Sequence, residues 1–172
     1  MKKNILDLID TLLDKSENSL SLRALEQVLN FGIPFNTPHK FKFNEMSEQK
    51  TRLELPFIRK NKNHLGGIHA CAIATLGEYT AGLSLIKFMG ISRYRLIMSH
   101  LEVDYYKQAR GKVWGEIQIE SSLFQNSHAE LNEKDRVEIE LATHILNEEN
   151  EIIALVKTKW QLKNWQKVTF KG

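Results

Sequence analysis

The residues best suited to do chemistry lie between Asn63 and Glu78. The stretch Asn63-His64-Leu65-Gly66-Gly67-Ile68-His69-Ala70-Cys71 leads into an apolar segment in which Glu78 is the one charged side chain from Ala70 to Ile86. Two glycines allow tight backbone geometry ahead of a helix. The first-turn N–H groups of a helix have no intrahelical acceptor, so such an entrance can hold a carbonyl oxygen or an anion. Those are the electrostatics of an oxyanion hole. Glu78 follows His69 by nine residues, about two and a half turns at about 3.6 residues per turn. A carboxylate on so apolar a helix must find a partner, reach water or take up a proton, because uncompensated burial costs several kcal/mol. The pattern admits a functional carboxylate, and equally one that sits on an exposed stripe or pairs with a Lys or Arg from a strand.

Other chemistries find less support. Cys71, near a helix N-terminus, has the position of an activated thiol, but a lone Cys between two alanines reads as small core filler. His64 and His69 are five apart and do not share a helix face, and the other four histidines are scattered, so no metal site is expected. The run Gly82-Leu83-Ser84-Leu85-Ile86 lacks the second glycine of a nucleophile elbow, and no glycine-rich phosphate loop occurs. Residues 65–86 are long enough for a membrane span. Four glycines, two threonines, a histidine and Glu78, whose charge at mid-bilayer would cost about 2.5–3.5 kcal/mol or more, favour a buried helix of a soluble protein instead.

These groups need a scaffold, and the composition supplies one. With 172 residues, 42% of them hydrophobic and 26% charged, the chain fits a single domain over residues 1–172. One cysteine excludes a disulfide framework. Asp7, Asp10 and Asp14 interrupt what would be the apolar part of an export signal, so a cytoplasmic location is expected. A formal charge of +3, with basic residues dispersed among acidic ones, argues against a nucleic-acid partner.

Apolar spacing of three and four predicts amphipathic helices over 5–13 and 21–30, the second capped by Ser19 or Ser21 and stopped near Gly32 and Pro34, together forming an N-terminal extension over 1–35. From residue 40 the period falls to two. Phe41 and Phe43, then Leu53, Leu55 and Phe57, read as two strands with a turn near 46–49. A helix from His69 to Phe88 follows, then four strand patterns: Ile97 to Tyr105, Val113 to Leu123, Val137 to Ile145 and Ile152 to Leu162. Residues 109–111, 125–133 and 147–151 read as turns or loops. Short links imply antiparallel pairing, and a helix apolar nearly all round requires a sheet curved about it. The expected class is α+β, with about six antiparallel strands wrapped around a long central helix.

On these residues the chain resembles the hotdog-fold thioesterases, particularly the phenylacetate-pathway and 4-hydroxybenzoyl-CoA types and their bacterial relatives, over residues 38–163. Their pattern places an Asn six residues before the His that opens the central helix and an acidic residue nine after it, as in Asn63, His69 and Glu78. The resemblance implies that Glu78 is the general base activating water or the nucleophile forming a mixed anhydride. It further implies that the Ala70 N–H stabilises the oxyanion, that Asn63 positions water or thioester, and that His69 shapes the helix entrance. Gly66, Gly67 and Ile68 are the expected substrate-binding loop. The family often has Gly-Gly directly after the His, where this chain has Ala70-Cys71.

The implied activity is hydrolysis of an acyl-CoA or acyl-carrier-protein thioester by a homodimer or dimer of dimers whose site forms across the interface. No cofactor beyond the coenzyme A of the substrate is expected. The alternative is a non-catalytic acyl-CoA binding or regulatory module on the same fold. Arg59, Lys60, Lys62, Arg93, Arg95, Lys107, Arg110 and Lys112 are candidate contacts for coenzyme A phosphates or simply solvated surface. Tyr79, Leu83, Ile86 and Phe88 are candidate walls of an acyl pocket.

Overall fold

The computed structural model describes residues 3–168. Helices α1 (Lys3–Asp14) and α2 (Ser19–Gly32) precede strands β1 (Lys42–Met46) and β2 (Lys50–Leu55). Helix α3 (Ala70–Met89) leads to strands β3 (Tyr94–Tyr105) and β4 (Val113–Gln118), helix α4 (Ser121–Glu133), and strands β5 (Val137–Leu146) and β6 (Ile152–Asn164). The strands form one six-stranded sheet in the order β1-β2-β4-β5-β6-β3, and every neighbouring pair is antiparallel. The sheet wraps α3, which touches β2, β4, β5 and β6. This is the expected α+β arrangement. Leu76, Leu83 and Leu85 of α3 are fully buried against it.

Small residues let the helix lie close to the strands. A Cβ at Gly77 would overlap the side chain of Val156 on β6. Gly77→Ala is therefore expected to destabilise by about 1–3 kcal/mol through overpacking, which at this size lowers the melting midpoint by several degrees. An unchanged midpoint in calorimetry would mean that β6 yields at no cost.

Helices α1 and α2 pack over one flank of α3. Asp10 of α1 accepts hydrogen bonds from the Ile91 and Ser92 N–H groups (2.9 and 3.0 Å), and Lys87 donates to the Leu13 carbonyl and the Ser16 hydroxyl. Buried Glu26 of α2 accepts from the Phe43 N–H at 2.8 Å, and the Asn30 amide donates to the Phe41 carbonyl at 2.9 Å. Polar anchors thus fix where the two apolar faces sit.

Several local expectations are corrected. Residues 125–133 are not a loop but most of α4, and Leu123 belongs to that helix rather than to β4. Phe124 and Leu131, seven apart, bury the helix's one stripe, and Phe124 stacks on Phe88 with centroids 4.1 Å apart. Phe88 is thereby committed to packing. The cap of α2 is Asn18, whose Oδ1 accepts from the Leu20 and Ser21 N–H groups, not Ser19 or Ser21. In β3 a bulge between Met98 and His100 inserts one residue, so Ile97 does not share a face with Leu101, Val103 and Tyr105.

Candidate active site

The loop from Asn61 to His69 is shaped by backbone pairing and by Asn63. Asn63 N–H donates to the Gly67 carbonyl at 2.8 Å, and Gly66 N–H returns to the Asn63 carbonyl at 3.1 Å. The Asn63 Oδ1 accepts from the Leu65 and Gly67 N–H groups (2.9 and 3.1 Å), while its Nδ2 makes one long contact to the Ile68 carbonyl, 3.4 Å. Gly66 takes φ +79°, the left-handed conformation that glycine tolerates best. Ile68 N–H donates to the Ala109 carbonyl and His69 N–H to the Asn61 carbonyl, each at 2.8 Å. Loop and helix entrance are held as one unit.

His69 is the N-cap of α3. Its Nδ1 accepts the Cys71 N–H at 3.1 Å, so in the capping state that nitrogen carries no proton. Among the described residues nothing accepts from the Ala70 N–H, and His69, Ala70 and Cys71 are all exposed. Cys71 is therefore not the core filler its neighbours suggested. Asn63, Ile68 and Ala70 line an open depression of about 350 Å³ with Tyr105 and Lys107, and the Tyr105 hydroxyl donates to the Ala70 carbonyl at 2.9 Å.

Glu78 faces a different cavity, about 320 Å³ in volume, walled by Ile5, Ile9 and Val28 of the N-terminal helices, by Gly82 and Ile86 of α3, and by Trp160 of β6. Among the described residues it is the one carboxylate in that lining, and no cation lies within ion-pair distance of it. Neither an exposed stripe nor a strand lysine accounts for it. Burial among apolar side chains pushes its pKa up to about 7. Tyr79, Leu83 and Ile86 also line the cavity, and Phe88 does not.

One chain does not bring the two halves together. Glu78 lies eight residues beyond Ala70, about 12 Å along the helix at about 1.5 Å per residue, and the two residues open into separate cavities. The role of α1 and α2 as cavity wall was hidden in the sequence, since an amphipathic stripe shows that a helix has a buried face without showing what it covers. Arg95, read above as a candidate phosphate contact, lines the Glu78 cavity. A larger open depression of about 560 Å³ lies on the outer face of the sheet. It is crossed by ion pairs such as Lys157–Glu102 and Lys159–Glu140.

A family model described as Domain of unknown function (DUF4442) matches residues 22–162. No curated protein matches the chain. Among solved structures, a Pseudomonas aeruginosa protein of unknown function described as a probable thioesterase is 22% identical, with a TM-score of 0.75 over 83% of this chain and 95% of its own. A protein of unknown function from Chlorobaculum tepidum is 12% identical, with a TM-score of 0.74 over 87% and 98%. A thioesterase enzyme from Staphylococcus aureus is 14% identical, with a TM-score of 0.62 over 76% and 98%. These likenesses show a thioesterase-like hotdog fold. No helix among the described residues is long and apolar enough to cross a membrane.

Proposed function

The chain belongs to the DUF4442 family of domains of unknown function, and from that premise and the surroundings of Glu78 we propose that it hydrolyses acyl thioesters of coenzyme A or of acyl carrier protein. The observation that carries this reading is an unpaired carboxylate in an apolar cavity, its pKa pushed up to about 7 by burial. Such a group is ionised enough to accept a proton near neutrality and basic enough to do so effectively. As general base it takes a proton from water while the oxygen attacks the thioester carbonyl. The tetrahedral intermediate then collapses with cleavage of the C–S bond, and the thiolate leaves to be protonated. As nucleophile it would form a mixed anhydride that water hydrolyses. Both routes need the carboxylate form.

The Ala70 N–H is the oxyanion donor in this reading. It has no acceptor among the described residues and sits at the positive end of a 20-residue helix. Asn63 keeps its loop in shape through Oδ1 and has Nδ2 to offer the substrate, while Gly66, Gly67 and Ile68 form the rim. His69 holds the helix entrance by capping.

Because Ala70 and Glu78 are too far apart within one chain, the working unit is a homodimer in which each site takes its carboxylate from one copy and its helix entrance from the other. Edge strand β3 supports this. Among the described residues, one side of its 12 residues is unpaired in the sheet, and Leu101 and Tyr105 on its inner face remain 38% and 47% exposed, a surface a second copy would cover.

Thiol release from a panel of short, medium, long and aromatic acyl-CoAs tests the proposal. Turnover is expected for at least one acyl class. Saturable binding of acyl-CoAs without thiol release, by a folded dimer, would replace the hydrolase with a binding module.

A further inference from the structure

Between Leu55 and Gly67 the chain that links β2 to α3 has one fully buried residue, and that residue is polar. Asn61 is 0% exposed, while Lys60 and Lys62 on either side face solvent. Both ends of its amide are engaged. Nδ2 donates to the His39 carbonyl at 3.0 Å and to the Pro56 carbonyl at 2.9 Å, which uses both of its protons. Oδ1 stands 2.9 Å from the His39 Nδ1. Turning the amide over would set oxygen against two carbonyls, so it is the His39 Nδ1 that carries a proton and donates. The Asn61 carbonyl in turn accepts the His69 N–H.

Three segments thus meet at one residue: the stretch leaving α2, the end of β2, and the loop that opens α3. Among the described residues, the hydrogen bonds joining residues 56–69 to segments other than α3 are those of Asn61 with His39 and of the Ile68 N–H with the Ala109 carbonyl. His39 is itself fixed, its ring centroid 5.8 Å from that of Phe35 and 5.4 Å from that of Phe41. Phe41 packs on Tyr79 at 5.2 Å, and Tyr79 follows Glu78 on α3 and lines the same cavity. The helix entrance is therefore tied back to the turn of α3 that carries the carboxylate.

We propose that Asn61 is a positioning residue for thioester hydrolysis, its side chain fixing where the helix entrance, and with it the Ala70 N–H, stands relative to the body of the subunit. The proposal rests on the reading of that N–H as the oxyanion donor. Misplacement by about 1 Å from a change outside the reacting groups can cost about 10²-fold in rate.

The test is a double-mutant cycle read in kcat per folded enzyme. Asn61→Ala is expected to lower kcat about 10- to 100-fold and to change KM by no more than about threefold. In Ala70→Pro, which has no donor left to displace, adding Asn61→Ala is expected to lower kcat by no more than about twofold, whereas a merely structural role would lower it equally in both backgrounds. An unchanged kcat in the single variant, or the same loss in both backgrounds, overturns the assignment. Should Asn61→Ala fail to fold, Asn61→Asp, which keeps the shape and the acceptor for His39 but neither donor, carries the same expectations and the same two refutations.

If the wild type releases thiol from no acyl-CoA, the hydrolase reading fails and the anchor is still measurable. Backbone hydrogen exchange of residues 61–73 is then expected to quicken about tenfold or more in Asn61→Ala or Asn61→Asp, with β5 and β6 unchanged. Exchange unchanged in that loop, or quickened equally throughout the molecule, overturns the role of Asn61.

Discussion

Glu78→Gln is expected to lower kcat/KM by about 10²–10⁴-fold, the usual contribution of a positioned general base, and at the same time to raise stability above neutral pH. The second effect follows from burial. The folded carboxyl titrates at about 7 instead of its ordinary 4.5, so between those values the folded protein holds a proton that the unfolded chain has released. Below pH 4.5 the residue carries no penalty. The penalty grows as pH rises through this window and is complete above 7, reaching at most about 3 kcal/mol at about 1.4 kcal/mol per pH unit. Gln is neutral throughout. The variant should therefore melt several degrees above the wild type at pH 8 and together with it at pH 4. The wild-type kcat/KM should rise with pH through about 7 to a plateau as the carboxylate form accumulates. A variant less stable than wild type at pH 8 would place Glu78 in a structural ion pair, and an unchanged rate would remove it from the mechanism.

Glu78 was legible because it breaks a pattern, and the same is true of most of what the sequence revealed. Period-two runs such as Val137, Ile139, Leu141 and Ile145 mark β5, and the near-absence of charge from Ala70 to Ile86 marks a helix surrounded by strands. The helix entrance was readable too, since two glycines ahead of an apolar run allow a tight turn there, but that His69 caps the helix through its own ring was not. What escaped depended on contacts distant in sequence. Helix α4 buries little beyond Phe124 and Leu131, too thin a stripe to outweigh its polar residues. The bulge after Met98 is set by pairing with β6, and nothing local to Ser99 or His100 signals it. The cavity itself comes from Asp10, Glu26 and Lys87 anchoring α1 and α2 over α3, long-range polar bonds that no periodicity encodes.

Ala70→Pro should remove the oxyanion donor while leaving the helix intact. Ala70 is the first helical residue, where proline is tolerated because the missing N–H has no intrahelical acceptor and φ is already suitable. His69 before it is extended, φ −68° and ψ 137°, which a following proline also permits. The expected loss is about 10²–10³-fold in kcat, the effect of deleting one oxyanion-hole donor, with melting nearly unchanged. Ala70→Gly, which keeps the N–H, should retain most of the rate. The shared site gives a sharper readout when the two inactive variants are mixed. A dimer of one Glu78→Gln copy and one Ala70→Pro copy contains one site with both lesions and one with neither, because each site draws its carboxylate and its helix entrance from different copies. Activity should then return to about half the wild-type value per mixed dimer, although each parent is nearly inactive. Mixed dimers formed without recovery would mean that both groups serve one site from the same chain. The 12 Å that separates them along α3 could then be closed only by a rearrangement of the helix entrance. An undiminished rate in Ala70→Pro would move the oxyanion donor elsewhere.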